Sequence, residues 1–149
     1  MGAVTGAVGA ARPHPEPGFR VLAITHGRTG RTLARLAAPA GTRLRLTYTH
    51  SIYRQPGLEE FDLDEDGLRL VRLASPSAAV LEYYARPEPV RPGPDGLEIV
   101  IEPERHAFLP ILASRTGART VGYGAASVPL TRLVADGEPV HLRVLPDMR

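Results

Sequence analysis

The sequence contains no cysteine, tryptophan, lysine or asparagine. Without cysteine the chain has no disulfide, no thiol nucleophile, no iron–sulfur cluster and no cysteine-based zinc site. Without lysine it has no phosphate-binding P-loop, because that motif uses a lysine to reach the phosphates. No apolar run approaches the roughly 18 residues that identify a transmembrane helix. We therefore predict no membrane-spanning segment.

The basic residues are evenly spread and nearly balanced by acidic ones. All 18 basic side chains are arginines, 16 residues are acidic, and the formal net charge is +2. Nucleic-acid-binding domains usually cluster their basic residues and interleave aromatic ones. Aromatic residues make up only 5% of this chain. We therefore expect no nucleic-acid partner.

The N-terminus differs in composition from the rest of the chain. Residues 1–11 are small and weakly apolar, and residues 12–18 are rich in proline. A secretory signal would show a basic segment followed by a strongly apolar one, and we see no signal peptide of this kind. We predict that residues 1–17 are a flexible Pro-rich tail or the remnant of a signal missing from the chain. At 149 residues in all, the remainder, 18–149, is expected to be one β domain.

Short alternating segments separated by turn residues run through this predicted domain. In Thr42–His50, every second residue is apolar or aromatic up to the final histidine, which is the period of a half-buried strand. Asp-Gly dipeptides at 66–67 and 136–137 are typical of hairpin turns. We predict an all-β fold, a compact and mostly antiparallel β-sandwich or barrel with no internal repeat. Residues 128–134 and 140–145 are expected to form a terminal hairpin, and residues 75–84 suit either a strand or a short helix.

One segment, Tyr48–Phe61, concentrates the polar chemistry. His50 ends one predicted strand and Glu59 begins the next, and alternation turns both toward the apolar face. A carboxylate on such a face needs a polar partner. If residues 55–57 are the turn, cross-strand Cβ atoms about 5 Å apart would allow a hydrogen bond between His50 and Glu59. The other candidate partners of Glu59 are Ser51, Arg54 and the hydroxyls of Tyr48 and Tyr53.

Three interpretations of this segment remain open. His50 and Glu59 could form a buried pair that fixes the strand register. Alternatively, they could line a pocket or partner surface. In a catalytic alternative, Glu59 would tune His50 as a base beside Ser51, but the Gly-x-Ser-x-Gly elbow of many hydrolases is absent. A metal would need a third ligand from elsewhere in the chain, so we predict no metal site. We also predict no other cofactor and no enzymatic activity. The predicted binding residues are His50, Ser51, Tyr53, Arg54 and Glu59.

The order Tyr48, His50-Ser51, Pro56, Glu59 resembles a small bacterial family catalogued as domain of unknown function 1850. The resemblance extends from about Phe19 to Leu145. It implies a small β domain, often with a signal or lipid-type N-terminus, commonly encoded beside TRAP transporters of the TAXI type, which import organic acids and related solutes. This chain departs from the family at 77–79, where Ser-Ala-Ala stands in place of Gly-Ala-Gly, and in lacking an export signal.

Taken with this resemblance, the residues predict a non-catalytic accessory or binding protein. The resemblance implies an extracytoplasmic location and a contact with the transporter permease or its solute-binding protein. One alternative is a module that binds a small carboxylate through Arg54. A further alternative is a hydrolase that uses His50 and Glu59.

Overall fold

The computed structural model describes residues 18–65 and 67–146. The predicted tail, residues 1–17, lies outside the described residues, as does Asp66 in one hairpin turn. The strands are β1 (Phe19–His26), β2 (Thr32–Pro39), β3 (Leu44–Thr49), β4 (Pro56–Leu63), β5 (Leu68–Ser75), β6 (Arg91–Gly93), β7 (Gly96–His106), β8 (Leu109–Leu112), β9 (Thr120–Tyr123), β10 (Ala126–Pro129) and β11 (Pro139–Val144), with a short helix α1 (Ala78–Glu82) and a 3-10 turn (Leu130–Arg132).

Two antiparallel sheets pack face to face. The smaller has four strands in the order β2-β1-β11-β8, and the larger has seven in the order β10-β9-β3-β4-β5-β7-β6. Every recorded strand pairing is antiparallel. The prediction of an all-β, mostly antiparallel fold is confirmed, and of its two forms the structure is the sandwich.

The alternation in β3 explains how the large sheet packs. Leu44, Leu46 and Tyr48 are buried, whereas Arg45 and Thr47 between them are exposed. One face of the sheet is therefore apolar and must be covered by the small sheet. Burying each leucine contributes roughly 1.5–3 kcal/mol. The core draws on both sheets, including Leu22, Ile24, Val140 and Leu142 from the small sheet and Leu44, Leu46, Leu73 and Ile99 from the large one.

The other face of the large sheet carries an ion-pair cluster, here called the Arg72 cluster, in which Arg72, Glu60 and Glu98 are buried and Asp95 is exposed. Arg72 donates to Glu98 at 2.7 Å, to Glu60 at 3.0 Å and to Asp95 at 2.6 Å. The side chains of Arg72 and Glu60 are only 11% and 7% exposed. The arginine charge is thus shared among carboxylates on β4, on β7 and before β7, which ties three parts of the sheet together.

The prediction that residues 128–134 and 140–145 form a terminal hairpin is wrong. β10 pairs with β9 in the large sheet, whereas β11 pairs with β1 and β8 in the small sheet. The 3-10 turn separates them, and its Leu130 is fully buried. Alternating apolar residues reveal a strand but not its sheet, because both sheets face the same core. Residues 75–84 contain the short helix α1, one of the two alternatives considered. Among the described residues, no helix is long and apolar enough to cross a membrane.

Candidate functional site

A cleft of about 350 Å³ opens at one end of the sandwich, beside the ends of β3 and β8. A volume of this size suits a small organic molecule. The loop between β8 and β9 forms one wall and is fastened to β3 because the Thr49 backbone N–H donates to the Gly117 carbonyl at 2.8 Å. The polar side chains in the lining include Tyr48, His50, Ser51, Glu59, Tyr84 and Arg119.

His50 organises the turn that joins β3 to β4. Its backbone N–H donates to the Gln55 carbonyl at 2.9 Å, and the Arg54 N–H returns to the His50 carbonyl at 2.9 Å. Its ring nitrogen Nδ1 faces the N–H groups of Ile52 and Tyr53, at 3.2 and 3.3 Å. A ring nitrogen that accepts hydrogen bonds carries no proton. The neutral His50 ring therefore holds its proton on Nε2.

His26, at the end of β1, builds a turn with the same bonds. Its N–H donates to the Arg31 carbonyl at 2.8 Å, and the Gly30 N–H returns to the His26 carbonyl at 2.9 Å. Its Nδ1 faces the N–H groups of Arg28 and Thr29, at 3.2 and 3.4 Å. Gly30 has a positive φ of 75°, and Arg54 at the equivalent position of the other turn has 57°. The two turns are local structural copies.

The two histidines differ in what their Nε2 atoms meet. His26 Nε2 lies 3.0 Å from a carboxylate oxygen of Glu138, which also accepts from Arg28 at 2.5 Å. His50 Nε2 has no hydrogen-bond partner within the described part of the chain, and its ring lines the cleft. The first turn is therefore occupied by a carboxylate of the chain itself, whereas the histidine of the second turn lines a cleft and has no described partner at Nε2.

Glu59 lies on the core-facing side of β4, opposite Leu46 on one neighbouring strand and Leu73 on the other. The Tyr84 hydroxyl donates to Glu59 Oε2 at 2.7 Å and also contacts the Tyr48 hydroxyl. Because Tyr84 has only one proton to donate, Tyr48 is the donor between the two phenols. Burial first, and then the charge of Glu59, raises the pKa of Tyr84, and burial raises the pKa of Tyr48. Both phenols remain donors at neutral pH.

The hydrogen bond between His50 and Glu59 that the strand pattern allowed is not formed: these two described residues line the same cleft but have different partners. The reason is the position of the turn. β4 already begins at Pro56, which pairs with Thr49, so Glu59 lies opposite Leu46 and well along the strand from His50. The pair on which the catalytic alternative depended is not formed.

Arg119 is the cation of the cleft. Its guanidinium lies 5.0 Å from the centre of the Tyr48 ring, a favourable cation–π arrangement. The structure records no ion pair for Arg119 with any described residue. Arg119 and Glu59 also line a smaller adjoining cleft of about 250 Å³. Sequence reasoning missed Arg119 and Tyr84, because neither stands in the Tyr48–Phe61 segment and only long-range packing brings them to it.

The predicted site residues are divided between the cleft and its rim. His50, Ser51 and Glu59 line the cleft, whereas Tyr53 and Arg54 do not and are exposed on the turn. The Tyr53 ring lies 5.1 Å from the His50 ring, and the Tyr83 ring packs edge-on to His50 at 4.7 Å. Tyr83 is therefore another site residue that the sequence did not indicate.

No three histidine, aspartate or glutamate side chains within residues 18–65 and 67–146 are grouped so that they could hold a metal ion. No family model, curated protein or solved structure matches this chain. The resemblance noted from the sequence stays a prediction, and the functional argument rests on the geometry of the cleft.

Proposed function

We propose that this protein is a non-catalytic binding module for a small organic carboxylate, which it holds in the cleft at the end of the sandwich. The observation that carries the proposal is the equivalence of His50 and His26. The same turn fixes both rings with Nδ1 as acceptor and Nε2 as donor, and the His26 donor is already bonded to the carboxylate of Glu138. An external carboxylate would take the corresponding position at His50.

Arg119 supplies the positive charge that such a ligand requires. In the occupied turn, Arg28 is the second donor to the carboxylate of Glu138. In the cleft, Arg119 is the cation available for that role, and a charge-assisted bond to a carboxylate is stronger than a neutral one. Arg54, to which the carboxylate-binding alternative assigned this role, lies outside the cleft lining. The proposal therefore assigns this role to Arg119.

The variant His50→Asn tests the proposal while preserving the turn. The asparagine Oδ1 can accept from the same backbone N–H groups as Nδ1, as in an Asx-turn, but the side chain has no counterpart of Nε2. Binding of propionate, pentanoate, succinate and 3-phenylpropionate is measured by titration followed with NMR. We expect His50→Asn to weaken binding at least about tenfold, since a hydrogen bond to a charged group is worth about 1.5–3 kcal/mol.

His26→Asn is the matched control, because it makes the same change in the equivalent turn, whose histidine is not part of the cleft lining. Thermal unfolding of both variants checks that the fold is retained. The proposal fails if none of the four acids binds, or if His50→Asn binds them as tightly as the unchanged protein.

A second candidate function is the accessory role that the sequence resemblance implies. The observation that favours it is the exposed apolar rim beside the cleft, where Ile52, Tyr53 and Tyr83 are 57%, 43% and 61% exposed. Clustered exposed apolar residues often mark a protein contact. Under this proposal the rim contacts a TRAP-type permease or its solute-binding protein outside the cytoplasm.

Cross-linking in membranes of the source cell, followed by mass spectrometry, tests the accessory role. We expect a permease or solute-binding protein to be captured by the unchanged chain and lost with the double variant Ile52→Ser and Tyr53→Ser. A double variant of exposed residues on β2, Arg35→Ser and Thr32→Ser, is the control. Capture that is absent, or equal in all three proteins, would count against this role.

A further inference from the structure

We infer that the ligand of the cleft is zwitterionic, an amino-carboxylate whose ammonium group is bound by Glu59 while His50 and Arg119 hold its carboxylate. This inference rests on the proposed function and narrows its ligand class. Glu59, His50 and Arg119 all line the same cleft of about 350 Å³. A plain carboxylate would use only the donor groups and would leave the negative charge of Glu59 facing it.

Glu59 forms no ion pair with a basic side chain of the described residues, although Arg119 lines both clefts that Glu59 lines. Tyr84 donates to Oε2, whereas Oε1 has no hydrogen-bond partner among the described residues. Carboxylates on the apolar side of a sheet are rare unless a partner compensates them. The arrangement leaves one oxygen of Glu59 for a donor from outside.

The neighbouring Glu60 shows that this chain can compensate a carboxylate when the fold requires it. Glu60 lies on the opposite face of β4 and pairs with Arg45 at 2.6 Å, with Arg72 at 3.0 Å and with Arg43 at 3.6 Å. Three arginines surround Glu60, whereas Tyr84 is the one side-chain partner that the described residues give Glu59. A site for a cationic ligand group requires a carboxylate that is not already paired with an arginine, and Glu59 meets this requirement whereas Glu60 does not.

The two ends of the proposed ligand match the two kinds of group in the cleft. An ammonium offers three donors and no acceptor, which suits the free oxygen of Glu59. A carboxylate offers only acceptors, which suits His50 Nε2–H and the guanidinium of Arg119. A molecule carrying both groups on a short carbon chain would therefore satisfy all three side chains together.

Matched probes that differ only in the amino group test this inference. Pentanoate is compared with L-norvaline, and 3-phenylpropionate with L-phenylalanine, in NMR titrations of the full chain. We expect the amino-carboxylate of each pair to bind at least about tenfold more tightly, in keeping with a new charge-assisted hydrogen bond. In Glu59→Gln we expect this preference to disappear while the deaminated acids still bind. Glu102→Gln, an exposed change on β7, is the control.

The outcomes separate this inference from the proposed function. If the deaminated acids bind as tightly as their amino counterparts, or more tightly, the inference is overturned and the carboxylate-binding proposal stands. If neither member of either pair binds, both fail. An amino preference that survives in Glu59→Gln would also overturn the inference, because another group would then hold the ammonium. If Glu59→Gln does not fold, the comparison of each amino-carboxylate with its deaminated acid in the unchanged protein still tests whether the cleft prefers a zwitterionic ligand.

Discussion

His26 and His50 occupy the same position in two equivalent turns, one closed by a carboxylate of the chain and the other facing a cleft. In each turn the imidazole Nδ1 lies within hydrogen-bond distance of the N–H groups two and three residues ahead. Asparagine and aspartate side chains commonly perform this task in Asx-turns, and this chain contains no asparagine. Histidine adds a second nitrogen on the far side of the ring, so the residue that holds the turn can also bind an acceptor.

The first prediction concerns the tautomers of these two rings. In their neutral form, both imidazoles should carry the proton on Nε2, because Nδ1 accepts backbone hydrogen bonds. Long-range ¹H–¹⁵N correlation spectra of the labelled protein distinguish the two nitrogens. We expect the Nε2–H pattern for both rings. An Nδ1–H form at His50 would remove the basis for its proposed role in the cleft.

The second prediction concerns the Arg72 cluster. Arg72→Met removes the shared cation and leaves Glu60 and Glu98 buried with fewer partners, although Arg45 and Arg91 still contact them. Breaking a buried ion pair by removing one partner costs about 3–5 kcal/mol. We expect the free energy of unfolding to fall by about 3 kcal/mol in urea denaturation.

Arg35→Met is the matched control for that change, because Arg35 is exposed on β2. Surface substitutions of this kind usually alter stability by less than about 0.5 kcal/mol. Similar midpoints for both variants would mean that Arg72 contributes little and that its three carboxylate partners are compensated in another way.

The sequence predicts where the strands lie better than it predicts which strands pair with each other. It predicts only some of the residues that line the cleft. Alternation in β3 places Tyr48 on the apolar face, and alternation with Phe61 in β4 places Glu59 there as well. The repeated Thr-His dipeptides at 25–26 and 49–50 were the available signal for the paired turns. Arg119 and Tyr84 could not be predicted, because they reach the cleft through packing between segments that are distant in the chain.

The third prediction concerns acid stability. Hydrogen bonds from Arg86 lower the pKa of Glu88 to about 2 from an ordinary 4.5. Hydrogen bonds from Arg72 lower the pKa of Glu98 and of Asp95, and His26 first of all lowers the pKa of Glu138. A carboxyl whose folded pKa lies below its unfolded value stabilises the fold above the unfolded pKa. That stability is lost as the pH falls through the folded pKa.

We therefore expect stability to be retained down to about pH 4.5 and to decline toward pH 2, the interval set by Glu88. Urea denaturation at a series of pH values measures the decline. Glu88→Gln should make the decline shallower, because one group with a lowered pKa has been removed, whereas Glu65→Gln, an exposed change in a turn, should not. Equal slopes in the three proteins would contradict the assignment to Glu88.

The fourth prediction concerns the packing of Gly57 against Tyr48, which lines the cleft. Gly57 pairs with Tyr48 across β3 and β4, and a Cβ added at Gly57 would overlap the Tyr48 ring. Gly57→Ala should displace that ring, because the new Cβ would occupy the same space. An overpacked site of this kind costs about 1–3 kcal/mol. It should also break the hydroxyl chain from Tyr48 through Tyr84 to Glu59. We expect a lower melting temperature and weaker binding of the amino-carboxylate probes.

Gly122→Ala provides the control for Gly57→Ala, since a Cβ at Gly122 would make only ordinary contacts, the nearest at 3.6 Å. A double variant separates the steric effect from the loss of glycine itself. If the overlap with the ring is the cause, Gly57→Ala combined with Tyr48→Leu should cost less than the sum of the two single changes. Additive costs would mean that the two residues act independently. In that case glycine at position 57 would serve the backbone of β4 rather than the position of the Tyr48 ring, and the cleft would not depend on it.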